Sequence, residues 1–348
     1  MNRCRLLVTV SLALAAVGAA AQGGSPLDPG AHEVLRPSGH VADAIGQLWN
    51  VFVLTCTTVF AAVLATFLWA LWRARRADVR DPPDLSSLGR HERGPYRSVV
   101  AGVVVSAVLL LVLLGASVWT DRAIARMSLA NAVNLTVIGH QWWWEIRYEG
   151  DPPSDTFTTA NELHVPVGRP VVIRLKAGDV IHSLWMPNLA GKKDLIPGRT
   201  TLLQFRADRP GRYRGQCAEF CGLQHAYMGL DIVADPPERY AAWAALQRAE
   251  APAPADAQRR RGQQVFLGST CMMCHAIQGT PAQATTAPDL THVSGRSTLA
   301  SGVLNNDRAS LKRWIADPQK IKPGTHMPAS TLPEADLDAL VAYLESLK

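Results

Sequence analysis

The chain has 348 residues, 48% of them hydrophobic and 18% charged, with a formal net charge of +6. That apolar fraction excludes a disordered chain, and its concentration in blocks argues against an ordinary soluble enzyme. The mild basic excess belongs to arginines near apolar segments and on surfaces, so nucleic acid is not an expected partner, and six cysteines in this length do not make a disulfide framework.

Residues 1–21 read as a secretory signal. Arg3 and Arg5 precede the apolar run Leu6–Val17, and Ala19-Ala20-Ala21 offers a small-residue cleavage site before Gln22. Cys4 lies upstream of the apolar run and leaves with the leader. Residues 22–45 then form an exported N-terminal segment. Two uncharged stretches, 46–72 and 98–120, each exceed the ~20 residues a helix needs to cross a bilayer. The intervening segment 73–97 holds Arg73, Arg75, Arg76, Arg80, Arg90, Arg93 and Arg97, which places it in the cytoplasm and both ends of the chain on the far side of the membrane. Trp49, Trp69, Trp72 and Trp119 sit where interfacial anchors belong.

Over residues 121–248 the pattern changes to period two. Leu163, Val165 and Val167 alternate with polar or kinked positions, and Val171, Ile173 and Leu175 alternate with Val172, Arg174 and Lys176. Short runs of this kind, bounded by Gly and Pro, predict an antiparallel β-sandwich or barrel. The Ala/Pro-rich stretch 249–257 marks a linker. Residues 258–348 show helical periodicity, at Gln258–Leu267, Ala309–Ala316 and Glu334–Leu347.

The β region contains Cys217-Ala-Glu-Phe-Cys221-Gly-Leu-Gln-His225-Ala-Tyr-Met228, with His182 further upstream after a strand. Thiolate and thioether are soft ligands that favour copper, and imidazole suits it. Two cysteines four positions apart allow both sulfurs to bridge two copper ions, leaving one histidine and one weak ligand for each. A disulfide leaves His225 and Met228 without a role, zinc does not favour methionine, and a thioredoxin-fold copper chaperone does not have all-β flanks.

These residues resemble the dinuclear copper (CuA) loop of cytochrome c oxidase subunit II, and the similarity extends over nearly the whole mature chain through Gly139-His-Gln-Trp-Trp-Trp-Glu145, Asp179-Val-Ile-His182-Ser and Lys193-Asp-Leu-Ile-Pro-Gly-Arg199. The resemblance implies a cupredoxin barrel with His182, Cys217, Cys221, His225, Met228 and the Glu219 carbonyl as copper ligands. It further implies that the Glu219 side chain reaches a magnesium ion shared with subunit I, with Asp194 nearby. Trp142 takes the place of the family's electron-accepting tryptophan, and Trp143 stands where a tyrosine is usual. Many family members open the second span with a Leu-Glu-x-x-Trp-Thr segment, whereas this chain has Pro95-Tyr-Arg-Ser-Val-Val-Ala-Gly, which lacks that proton-pathway glutamate.

Cys271-Met-Met-Cys274-His275 is the c-type haem attachment pattern, with two thioethers and an axial imidazole. Met327, in Gly324-Thr-His-Met327-Pro, is the candidate second axial ligand, with His326 a weaker competitor. The region resembles class I cytochrome c, whose terminal helices pack together. The expected architecture is thus a multidomain membrane protein: a two-helix transmembrane hairpin, an all-β cupredoxin barrel and an all-α class I cytochrome c domain.

All ten histidines (32, 40, 91, 140, 164, 182, 225, 275, 292 and 326) lie outside the two predicted spans, so an oxygen-reducing site with histidine-bound metals must belong to another chain. The resemblance supplies that partner: subunit I with haem a, haem a3 and CuB, alongside subunit III. It implies the electron-accepting subunit of a caa-type cytochrome c oxidase, passing electrons from a cytochrome c or the bc1 complex through haem c and CuA, coupled to proton translocation. The alternative is a membrane-tethered carrier serving a nitric oxide or nitrous oxide reductase.

Overall fold

The computed structural model describes residues 33–74, 89 and 93–348. The signal peptide, Cys4, residues 22–32 of the exported N-terminal segment and most of the arginine-rich loop lie outside the described residues. Two long helices open the fold, α1 (His40–Arg73) and α2 (Arg93–Ala125). Each carries an apolar window of mean hydropathy 2.3 and 2.9 respectively. Their apolar side chains face outward on nearly all sides, and Leu113 is the one apolar side chain of α2 that is buried, the pattern of helices solvated by lipid.

The 34 residues of α1 make a helix about 50 Å long, well beyond the hydrocarbon thickness. The helix starts six residues before the predicted span because its first turn is packed on the β domain. Ser38 N–H donates to Asn188 O (2.7 Å), Asp208 N–H donates to Ser38 O (2.8 Å), and Val41 and Ala42 are buried. Gly39 is required at this crossing, since a Cβ there would lie 2.6 Å from Leu189 O and 2.7 Å from Arg206 O. His40 therefore opens α1 at its cupredoxin end, away from the apolar window.

The β domain comprises β1 (Val133–His140), β2 (Trp143–Tyr148), β3 (Phe157–Ala160), β4 (Glu162–Pro166), β5 (Pro170–Ala177), β6 (His182–Trp185), β7 (Lys192–Leu195), β8 (Thr201–Arg206), β9 (Gly211–Cys217) and β10 (Gly229–Asp235). They form two five-stranded sheets, ordered β3-β2-β1-β5-β8 and β4-β10-β9-β6-β7. Two pairings, β1 with β5 and β4 with β10, are parallel, a feature that alternation cannot reveal because period two is common to both strand senses. Leu163, Val165, Val171, Ile173 and Leu175 are all fully buried between the sheets, as their alternation predicts. The polar face of β4 is covered as well: helix α3 (Pro237–Gln247) stacks Trp243 on His164, ring centroids 4.1 Å apart.

The segment 249–257 is pinned to the domain that follows it. His292 contacts Ala249 O through Nε2 (3.0 Å), and Ala251 N–H donates to Gln278 O (3.1 Å). Next come α4 (Ala257–Gly268), α5 (Arg308–Ala316), the single turn α6 (Pro318–Ile321) and α7 (Glu334–Leu344), with a small hairpin, β11 (Thr298–Leu299) and β12 (Leu304–Asn305), inserted among them. Asp256 caps α4 by accepting from Arg259 N–H, and Asp307 caps α5 by accepting from Ser310 N–H. Helices α4 and α7 cross at Gly262 over a core of Phe266, Leu340 and Tyr343.

Candidate functional site

The copper candidates converge from three places. His182 starts β6, Cys217 ends β9, and Cys221, His225 and Met228 lie on the loop leading to β10. Antiparallel pairing of β6 with β9 brings Leu184 opposite Cys217, and Cys217 N–H donates to Met228 O (3.0 Å), which closes the loop on itself. The two sulfurs stand 3.8 Å apart. His182 Nδ1 is 3.9 Å from Cys217 Sγ, and His225 Nδ1 is 3.7 Å from Cys221 Sγ. Met228 Sδ lies 3.9 Å from Cys221 Sγ, and Glu219 O lies 3.3 Å from Cys217 Sγ. Cys217, Cys221, His182 and Met228 are all buried. Two thiols flanked by two imidazoles, a thioether and a carbonyl form a soft donor set that suits a pair of copper ions.

The two thiols titrate as a pair. Hydrogen bonding from Cys221 is the main reason that Cys217 is pulled down to about 3, while Cys221 is pushed well above its ordinary value by the neighbouring sulfur and by burial. The pair thus favours one shared negative charge, and a metal cation held there would favour the second ionisation. Burial opposes the charged form of His182, but its hydrogen bonds to Asp179 and Cys217 outweigh that and raise its pKa.

Asp179 lies inside a matching stretch without an expected role of its own, and the structure gives it one. Its Oδ1 is 2.8 Å from His182 Nε2, leaving Nδ1 free for metal, and its Oδ2 accepts from Gln141 N–H at 2.6 Å. An acidic residue three positions before a candidate ligand histidine is only a weak sequence signal for such a partner, since carboxylates near histidines are ordinary.

Trp142 lies in the turn between β1 and β2, ahead of the strand that Trp143 begins. It is 7% exposed, and its Nε1–H donates to Cys221 O at 2.9 Å. Trp143 stacks on His140 at the surface, with centroids 4.5 Å apart, and Trp144 is fully buried, its ring 6.2 Å from that of His182. Glu219 and Asp194 are both exposed. Asp194 on β7 pairs with Ser183 on β6, and Ser183 O also accepts from Ala218 N–H (2.9 Å), so the two acidic residues flank the same position of β6.

In the C-terminal domain Cys271 and Cys274 are free thiols on a short helical turn after α4. His275 Nδ1 lies 2.7 Å from Pro288 O, which fixes the ring and leaves Nε2 for a metal. Burial lowers its pKa, favouring the neutral imidazole that ligates iron. Met327 packs against the domain core, while Met273 is exposed. His326 turns toward the other domain, its ring 6.2 Å from that of Trp142. The donor set fits a covalently attached haem.

The fold defines the class: two apolar helices carrying a cupredoxin-like domain and a cytochrome c domain. Residues 149–235 match the family described as cytochrome c oxidase subunit II, periplasmic domain, and residues 260–348 match cytochrome c. Cytochrome c oxidase subunit 2 of Alkalihalophilus pseudofirmus is 34% identical over 320 residues, covering 90% of each chain. The protein of the same name from Bacillus sp. strain PS3 is 30% identical over 333 residues, covering 90% of this chain and 91% of its own. The crystal structure of the periplasmic domain of cytochrome oxidase subunit II from Bradyrhizobium japonicum aligns with 28% identity and a TM-score of 0.32, over 35% of this chain and 97% of that one. The chain belongs to the cytochrome c oxidase subunit II family, in the form that carries a fused C-terminal cytochrome c domain. It is a membrane protein with periplasmic domains, and its two domain types imply CuA copper and haem c.

Proposed function

We propose that this subunit takes electrons from a donor such as a cytochrome c or the bc1 complex and delivers them to subunit I. When bound, haem c and the copper pair supply one-electron redox chemistry, feeding haem a and the haem a3–CuB site, where oxygen reduction is coupled to proton translocation. His182, Cys217, Cys221, His225, Met228 and the Glu219 carbonyl hold the copper pair. Cys271, Cys274, His275 and Met327 hold the haem. The exposed Glu219 carboxylate, with Asp194 nearby, is offered to a magnesium ion at the subunit I boundary.

The observation that carries the reading is the contact between the two sites. Trp142 hydrogen-bonds the backbone of the candidate ligand Cys221, and the turn bearing Met327 reaches the same ring through His326, with ring centroids 6.2 Å apart. Gln224 Nε2–H, beside the ligand His225, donates to Pro323 O at 2.6 Å. The chain's own residues thus hold the two donor sets against one another through direct hydrogen bonds, and a fixed arrangement of that kind keeps reorganisation small. Stopped-flow reduction of the solubilised holoprotein tests the order: haem c reduces first and the copper pair follows. Copper reduced independently of the haem, or haem that stays reduced beside oxidised copper, contradicts it.

A further inference from the structure

Lys322, in the loop between α6 and Met327, is 2% exposed. Its ammonium donates to two backbone carbonyls in different domains: Trp142 O of the cupredoxin domain at 2.7 Å and Ala300 O of its own domain at 3.1 Å. Withdrawing a lysine from water is costly, and the group persists only where its hydrogen bonds fix a geometry.

The acceptor turn points the same way. Ala300, Ser301 and Gly302 have φ of 53°, 66° and 81°, and the first two are side chains that rarely adopt that conformation. The turn presents Ala300 O to Lys322. It also presents Ser301 O to Gly229 N–H (3.0 Å) and Ser301 Oγ to Gly229 O (2.8 Å), across the domain boundary. Nearby, Gly324 approaches Trp142 and Leu223 so closely that a Cβ would sit 3.0 Å from Leu223 Cδ2.

We propose that Lys322 is a positioning residue that seats the turn carrying Met327 against Trp142, locking the cytochrome c domain onto the copper-bearing domain and closing the Trp142 face to other proteins. The docking itself stands on the geometry, and only its consequence for electron transfer rests on the proposed function. A locked domain transfers its electron without first diffusing into place, whereas a released domain must find its seat each time.

The test uses the full-length, detergent-solubilised holoprotein with Lys322→Met, which keeps the apolar stem and removes the donor, and Ser301→Ala, which removes one bond to Gly229. The first readout is amide exchange at Gly229 and Ser297, whose N–H groups donate across the boundary to Ser301 O (3.0 Å) and Glu162 Oε2 (2.8 Å). Both amides are expected to exchange at least about tenfold faster in Lys322→Met, and less markedly so in Ser301→Ala, while amides of α4 and α7 stay protected. The second readout is haem-to-copper electron transfer after photoreduction, in increasing glycerol. The parent rate is independent of viscosity, and that of Lys322→Met falls with it. Unchanged exchange in both variants overturns the docking role, and faster exchange with viscosity-independent transfer overturns the positioning role. A parent protein with no haem-to-copper transfer counts against the relay instead, and leaves the exchange result standing.

Discussion

At the copper candidates, Asp179 links the metal histidine to the turn that carries Trp142. Burial alone would raise its pKa, but hydrogen bonds from His182, Val180 and Gln141 hold the carboxyl below its ordinary value, so it stays charged at neutral pH. A charged carboxylate on Nε2 sets the tautomer and strengthens Nδ1 as a ligand. Asp179→Asn is therefore expected to weaken copper binding by about 10- to 100-fold, measured by competition with a copper chelator. Affinity unchanged within error would remove Asp179 from the site. The candidate ligands could be picked out in the sequence because four of them share one loop, where sulfur and imidazole at short spacing have few other uses. Asp179 and Lys322 were not, because a carboxylate near a histidine is ordinary and a lysine buried by another domain looks like any surface lysine.

At the scale of elements, two contacts decide how the C-terminal domain is built and held. Helices α4 and α7 touch backbone to backbone at Gly262, where an added Cβ would fall 2.0 Å from Ala339 O. No side-chain rotation relieves that clash, so Gly262→Ala is expected to cost about 3 kcal/mol, the upper part of the overpacking range, read from denaturant unfolding followed by haem absorbance. The pairing of the terminal helices was readable from their apolar stripes, and the need for glycine only from the crossing itself. The second contact is Glu162 on β4, which accepts from Ser297 N–H (2.8 Å) and Ser297 Oγ (2.5 Å) of the cytochrome c domain and lies 2.9 Å from His164 Nε2. Burial opposes its ionisation, yet these hydrogen bonds and His164 bring it from 4.5 down to about 2. A carboxylate depressed in the folded state contributes its stability fully above pH 4.5 and loses it as the pH falls toward 2. The shift corresponds to about 3 kcal/mol. The stability difference between the parent and Glu162→Gln should be constant above about pH 5 and shrink toward pH 2. A difference that does not change with pH would show that Glu162 is not charged in the interface. Period two placed β4 and its core residues, but could not show that α3 and the hairpin β11–β12 cover its polar face.

Across the whole molecule, the apolar helices anchor a periplasmic assembly in which α1 runs directly into the cupredoxin domain through Gly39, and that domain is in turn fastened to the cytochrome c domain. The copper side of the surface carries exposed Phe220, Ile181 and Tyr227 around the ligand loop. The arginines predict the orientation: in Arg93→Cys, a membrane-impermeant thiol reagent should label residue 93, as mapped by mass spectrometry, only when the cytoplasmic face is opened. Labelling of residue 93 from the periplasmic side of intact cells would invert the topology. Composition and spacing revealed the order of the modules, since each has its own period. Their mutual seating was hidden, because it depends on single hydrogen bonds between residues far apart in the chain.

Cys217 and Cys221 are proposed to hold a pair of copper ions together. Electron paramagnetic resonance of the oxidised, full-length protein tests it most directly. The expected spectrum is a mixed-valence signal with hyperfine splitting from two equivalent copper nuclei, abolished by Cys221→Ser. A single-copper pattern in the parent chain, or a two-copper signal that survives Cys221→Ser, would contradict it.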